Sequence, residues 1–302
     1  MVDSQQWLKQ VGTAQADIIN DIAVFENSVY VTGLTRGAIP SGFEKQDVGF
    51  DAWVGQYDIA SGRPQWFSQL GSNPLFNIPS EKANAVATDN EGNVYIVGET
   101  QGTLGNPQGR TDGFIASYDD NGNLLQVQQI GTSRDDVIED IVVVNNLIYV
   151  VGSTKGAFAG DNSNEERQVW VAEYDLGFNQ NWVTQFAVNG NGFSEAFALA
   201  VEGDNLFLAG KTRDETSDFD GWLGRLDITN PDTDPIIANI ASTETDTVND
   251  LTIDSTGNIY LAGDTAGVLG TQNFGGEDAW LAQYRFDGTF TQNWLTQVGT
   301  ST

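Results

Sequence analysis

One phrase returns six times along this chain: WLKQVG at Trp7, WFSQLG at Trp66, LQVQQIG ending at Gly131, WVTQFA at Trp182, IIANIA ending at Ala241, and WLTQVG at Trp294. Regular self-similarity constrains a fold more than any local propensity, because each copy must form the same unit and bury its faces against its neighbours. The copies end at residues 12, 71, 131, 187, 241 and 299, so successive repeats are 54 to 60 residues long. Between them three more phrases recur. The first reads NDIAV, NAVAT, EDIVV, FALAV, NDLTI. The second reads VYVTGLT, VYIVGET, IYVVGST, LFLAGKT, IYLAGDT. The third reads DAWVGQYD, DGFIASYD, QVWVAEYD, DGWLGRLD, DAWLAQYR.

Each phrase has the composition of a short strand, rich in Val, Ile, Tyr, Trp and Phe and bounded by turn sequences such as DNEGN, DDNGN and DSTGN. No stretch carries apolar residues at helical spacing over a useful length. In the third phrase Asp51, Trp53, Gly55 and Tyr57 share one face, with Ala52 and Val54 on the other. Both faces are apolar and both must be covered. Four such strands repeated five times predict an all-β chain, a β-propeller of five four-stranded blades, with a fragment of a longer blade array as the alternative. The approximate blades are 14–72, 73–132, 133–188, 189–242 and 243–302, within one domain spanning 1–302, and 7–12 is left as a ring-closing or spare strand. The GxT glycines (Gly33, Gly98, Gly152, Gly210, Gly263) fit a close approach between blades, and the small residue between two rings, as at Gly55, leaves room for a neighbouring sheet.

The phrases GNVYIVGET, TDGFIASYDDNGN and GNIYLAGDT, followed by EDAWLAQY and WLTQVGT, resemble the bacterial SBBP β-propeller repeat over almost the whole chain. The resemblance implies a non-catalytic module of a secreted or cell-surface protein, and hence an extracellular location. The family's name refers to seven blades, whereas five are counted here.

Composition removes several chemistries. With no Cys and no His, disulfides, Cys- or His-based zinc sites, thiolate nucleophiles and imidazole catalysis are excluded. Thirteen Lys and Arg against 42 Asp and Glu give a net charge of −29. That surface disfavours nucleic acid and anionic membranes. No apolar run approaches the roughly 20 residues of a membrane-spanning helix. MVDSQQWLKQ lacks the regions of a signal peptide, which reads as a mature or excised module.

All eight Trp and all eight Tyr fall on fixed strand positions, which favours blade-to-blade core over a sugar platform. The third-strand acids Asp51, Asp112, Asp220 and Asp278, with Gln168 in the same place, read as acceptors for backbone N–H groups. Asp21, Asp140 and Asp250 share one first-strand position, the strand that lines a propeller's channel, and are candidate ligands for a metal such as Ca2+ or acceptors for nearby backbone. The longer connections gather acids and Phe on one face. Phe43, Glu44, Asp47, Phe158, Asp161, Glu165, Glu166, Asp214, Glu215 and Asp218 are the candidate partner-binding residues there. No residue is assigned a catalytic or cofactor-binding role, because the acids recur with the blades whereas catalysis needs one asymmetric constellation. The expected function is non-enzymatic: binding a protein or glycan at the cell surface through the acidic loops, as a monomer, with weak divalent-cation binding in addition. A lectin-like propeller is the alternative and a propeller glycoside hydrolase the third reading.

Overall fold

The repeated phrases form strands in the computed structural model, which describes residues 7–39, 49–74, 80–158, 166–188, 190, 192–213 and 218–300. Blade one comprises Asp17–Phe25, Ser28–Thr35, Asp51–Asp58 and Pro64–Leu70. Blade two comprises Glu81–Thr88, Val94–Thr100, Asp112–Tyr118 and Leu124–Ile130. Blade three comprises Asp136–Val144, Leu147–Thr154, Gln168–Asp175 and Gln180–Phe186. Blade four comprises Phe193–Glu202, Asn205–Arg213, Asp220–Asp227 and Ile236–Ile240, and blade five Asp246–Ile253, Asn258–Thr265, Asp278–Phe286 and Phe290–Val298. In every sheet the strands lie side by side in chain order, as antiparallel neighbours wherever the register is given, and among the described residues there is no helix. The fold is an all-β propeller of five four-stranded blades.

The chain divides into two compact units, Met1–Ile148 with Leu176–Phe178 and Tyr149–Asp175 with Asn179–Thr302. In the first unit, blades one and two share a core in which Tyr30, Ala52 and Val54 meet Ala83, Val86, Ile96, Phe114 and Ala116. In the second, Phe207, Ala209 and Leu223 of blade four meet Val248, Leu251, Ile259 and Leu261 of blade five. Equivalent repeat positions thus make equivalent contacts, as stacked identical sheets require.

Turn chemistry closes the hairpins. Asp89, Asp119 and Asp254 each accept backbone N–H bonds from the Asn four residues on, and Gly92, Gly122 and Gly257 adopt φ of 83°, 78° and 78°. That left-handed conformation is why DNEGN, DDNGN and DSTGN all carry glycine at the same offset.

Two sequence expectations about glycine need correction. A Cβ on Gly33, Gly98, Gly210 or Gly263 would overlap the backbone carbonyl of Ile18, Lys82, Glu195 or Thr247, all on the first strand of the same blade. The close approach therefore lies within a blade, beside the irregularities at Ile19/Asp21, Ala83/Ala85, Ala196/Ala198 and Val248/Asp250. Each bulge inserts one residue and kinks the first strand against the second. Likewise, a Cβ on Gly55 would meet the Phe67 ring of its own blade's fourth strand, so the space serves that ring and not a neighbouring sheet.

The candidate spare strand is not a strand. Residues 7–13 have no ladder partner, yet Trp7 donates its indole N–H to the Ile59 carbonyl at 2.9 Å, and Val11 packs on the cluster of Val29, Val31 and Trp53. Trp66 makes the same bond to the Asp120 carbonyl of blade two, also at 2.9 Å. Glycine recurs beneath each ring, Gly62 under Trp7 and Gly122 under Trp66. Trp7 thus occupies, on blade one, the place that a preceding blade's fourth-strand Trp would take.

Candidate functional site: the loop-bearing face of the blades

The connections from second to third strands are anchored by a residue that sequence reasoning passed over. Gln69, Gln129, Gln185 and Gln297 stand at one register position of the fourth strand, opposite Trp53, Phe114, Trp170 and Trp280. In blade one, Gln69 donates to Asp51 Oδ2 at 2.6 Å and to the Gly37 carbonyl at 2.9 Å, and accepts the Ile39 N–H at 2.7 Å. In blade two, Gln129 donates to Asp112 at 2.8 Å and to the Gly102 carbonyl at 3.2 Å, and accepts from Leu104 and Gly105. Gln185 repeats the pattern with Gln168, Gly156 and Phe158, and Gln297 with Asp278, Gly267, Leu269 and Gly270. Asp112 and Asp278 also accept backbone N–H groups, as expected, from Gln108 and Gly109 and from Phe274. Asp51 accepts the Gln69 amide, and Gln168 keeps the bond that these acids make to the Gln. Blade four has Asn239 at this position, opposite Trp222 and one methylene shorter.

The signal was available. Gln sits inside WLKQVG, WFSQLG, LQVQQIG, WVTQFA and WLTQVG, and in the last four it stands one residue before the strand ends. A polar residue held constant within an apolar strand phrase marks a buried hydrogen-bond network.

Aromatic residues of this face turn onto the blades. Phe158 stacks on Trp170 with ring centroids 4.4 Å apart, and its own backbone N–H is held by Gln185. Phe219 packs edge-on against Phe193 at 5.3 Å beneath the cations of Lys211 and Arg213. The acids point outward: Glu166, Asp218 and Glu277 are exposed, each just ahead of the third strand in blades three, four and five. Of the other candidate partner-binding residues, Phe43, Glu44, Asp47, Asp161, Glu165, Asp214 and Glu215 lie outside the described residues.

The first-strand acids engage backbone. Asp21 accepts the N–H of Val86 in blade two at 2.8 Å, whereas Asp140 and Asp250 accept those of Ile141 and Leu251 next to them. Among the described residues no three Asp, Glu, His or Cys side chains gather as a metal site.

Ionisation follows the same environments. Hydrogen bonds from neighbouring side chains, Ser61, Asn123, Thr229 and Asn258, hold Asp58, Asp119, Asp227 and Asp254 below the usual carboxylate range. Burial pushes Glu81 and Asp250 up. The depressed group stabilises the fold above the unfolded carboxylate pKa, and that contribution fades as pH falls through the folded values. The raised group acts oppositely, because its ionised form is penalised as pH rises through the folded values. With self-repulsion from 29 excess negative charges added, the melting temperature is expected to peak on the acid side of neutrality, near pH ~5. Monovalent salt should raise it more at pH 7 than at the peak. A melting series across pH and salt measures both; a maximum above neutrality, or no salt effect, would contradict this balance.

Two segments, residues 65–106 and 238–270, match the SBBP β-propeller repeat. The regulatory protein FlaEY of Caulobacter vibrioides is 26% identical over 287 residues, covering 82% of this chain and 29% of that protein. The chain therefore spans under a third of that relative. Among solved structures, quinohemoprotein alcohol dehydrogenase ADHIIG of Pseudomonas putida is 11% identical with a TM-score of 0.50, covering 93% of this chain and 53% of the other. A protein of unknown function from Dyadobacter fermentans is 9% identical with a TM-score of 0.50, covering 90% of each chain. At these identities the likeness is one of fold.

Proposed function

We propose that this chain, a β-propeller carrying SBBP repeats, is a non-enzymatic binding module of the extracellular surface that holds a basic protein partner on its acidic loops. One observation carries the reading: four of the five blades staple the loop after their second strand with a fourth-strand Gln, buried in blades one, two and five and half-buried in blade three, so the loops are held at their bases with acids outward. Anchoring a loop at its base lowers the freedom it loses on binding, and a surface of net charge −29 steers cationic partners. A regulatory role, as in the name of the Caulobacter relative, is compatible with such a module. Sugar recognition is less well supported, since the third-strand Trp rings are buried and Trp7 and Trp66 bond the blade behind them.

The test is binding of the immobilised chain to basic proteins, acidic proteins and a glycan array at low and high salt. Binding confined to basic proteins, weakened more than ~10-fold by high salt, is expected. It should fall further in the triple variant Glu166→Lys, Asp218→Lys, Glu277→Lys, whose melting temperature should stay unchanged or rise. Selective glycan binding, or binding indifferent to the triple variant, would contradict the assignment. The cation component predicts that calcium at ~1 mM raises the melting temperature above magnesium at matched ionic strength.

A further inference from the structure

We infer that the corner where blades three and four meet binds a small organic monocarboxylate, held by Arg167, Lys211 and Arg213 against the rings of Phe193, Phe197 and Phe219. The site uses none of the acidic loop residues and takes a ligand of the opposite charge.

This corner departs from the repeat. Blades one, two, three and five begin their first strand with a carboxylate, Asp17, Glu81, Asp136 and Asp246, where blade four has Ser194. The Ser194 N–H bonds the Arg167 carbonyl at 2.8 Å, just as Glu81, Asp136 and Asp246 bond Phe50, Thr111 and Phe219 of the blade before. Gln168, beside Arg167, is the neutral residue in the third-strand series of Asp51, Asp112, Asp220 and Asp278. Phe197 takes the bulge position that Asn20, Asn84 and Asn249 hold in blades one, two and five. Lys211 follows the GxT glycine where the other blades have Leu34, Glu99, Ser153 and Asp264. The other blades fold without these residues, so the repeat itself does not require them.

The replacements gather positive charge. Arg167 and Lys211 share one carboxylate, Glu195, at 3.4 and 3.5 Å. Arg213 makes no ion pair among the described residues. Its guanidinium lies 5.6 Å from the centre of the Phe193 ring and 4.9 Å from that of Phe219. Lys211 stands 4.8 Å from the same Phe219 ring and 5.4 Å from Phe197. The three cations, Glu195 and the rings are all half-buried. Stacking on a ring fixes a cation without neutralising it, and like charges so gathered repel until an anion joins them.

The chemistry selects the anion. A carboxylate matches the planar fork of Arg213, and the Phe rings offer apolar surface to the ligand's body. A phosphate dianion gains nothing from the rings and meets the net charge of −29 with twice the repulsion. At ~0.15 M salt charges more than ~8 Å away are largely screened, so the local cations govern the site. Exposed Glu166 and Asp218, next in sequence to Arg167 and Phe219, oppose the ligand and limit its affinity.

NMR titration of the intact chain with benzoate, benzamide, acetate and inorganic phosphate tests the site. Benzoate is expected to saturate one site, with the other three at least ~10-fold weaker. Arg213→Gln and Lys211→Gln should each weaken benzoate by more than ~10-fold, with circular dichroism confirming the fold. Arg36→Gln should leave binding unchanged, because it removes the Arg–Phe pair of blade one, 4.6 Å apart, where Leu34 replaces the lysine. The triple loop variant Glu166→Lys, Asp218→Lys, Glu277→Lys should bind benzoate at least as tightly while losing its basic partner, so the two assignments fail separately. Absence of saturable benzoate binding, or benzamide, acetate or phosphate binding as tightly, would overturn the proposal. So would parent-like binding by either cluster variant, or a loss on Arg36→Gln.

Discussion

Trp222→Ala is expected to lower the stability of the fold by about 3–5 kcal/mol, enough to consume a large share of a typical domain's total. Trp222 is fully buried in the third strand of blade four, edge-on to Phe186 of blade three at 6.3 Å, and its indole N–H reaches the Glu195 carbonyl at 3.2 Å. Alanine would leave both a cavity at a junction between blades and a carbonyl short of its donor. Backbone relaxation cannot refill the space, because the strand register against Gly210 and Asn239 fixes the sheet around it. Urea unfolding of the variant and its parent reads the difference. A loss below ~1 kcal/mol would mean that this position is not a junction core.

Gln129→Leu has the second largest expected effect, about 2–4 kcal/mol, from hydrogen bonds lost at similar side-chain volume. Gln129 joins Asp112, the Gly102 carbonyl and the Leu104 and Gly105 N–H groups in a nearly dry site. Leucine leaves the two N–H groups without that acceptor, and Asp112 with only the backbone of Gln108 and Gly109 as donors. Gln129→Glu sharpens the test. A second carboxyl beside Asp112 favours a shared proton, so the folded pair titrates above the unfolded value. Its penalty should grow as pH rises through that window and be smallest in acid, whereas Gln129→Leu should show little pH dependence of its own. Melting curves of both variants at pH ~4 and pH ~7 separate the cases. Equal, small losses in both variants would remove the Gln staple from the account.

How far the fold was legible depends on what each feature needs for its expression. Strands repeat as phrases, so VYIVGET and IYLAGDT disclose twenty strands and five sheets before any coordinates. Glycine's role was half legible. A small residue at Gly98 announces a close approach, but a bulge in the facing strand decides whose backbone approaches, and one inserted residue such as Asn84 leaves little mark in a pattern of period two. Burial of the rings was legible for Trp53, Trp170, Trp222 and Trp280. It was not for Trp294, which is 38% exposed although it stands in the same repeated phrase as Trp66. The Gln staples were written in the repeated phrase but hidden by the expectation that strand interiors are apolar. For the first-strand acids, spacing placed Asp21, Asp140 and Asp250 in register, while the direction of each carboxylate depends on which backbone N–H the neighbouring sheet leaves open.

Hydroxyl-radical footprinting of the eight tryptophans, read by mass spectrometry, tests most directly whether identical sheets stack face to face. Trp53, Trp170, Trp222 and Trp280 are all buried, Trp222 and Trp280 between neighbouring sheets, whereas Trp294 is 38% exposed. Those four should remain unmodified in the native protein while Trp294 reacts fastest. Comparable oxidation across all eight, or rapid oxidation of Trp222, would contradict the stacked-blade arrangement.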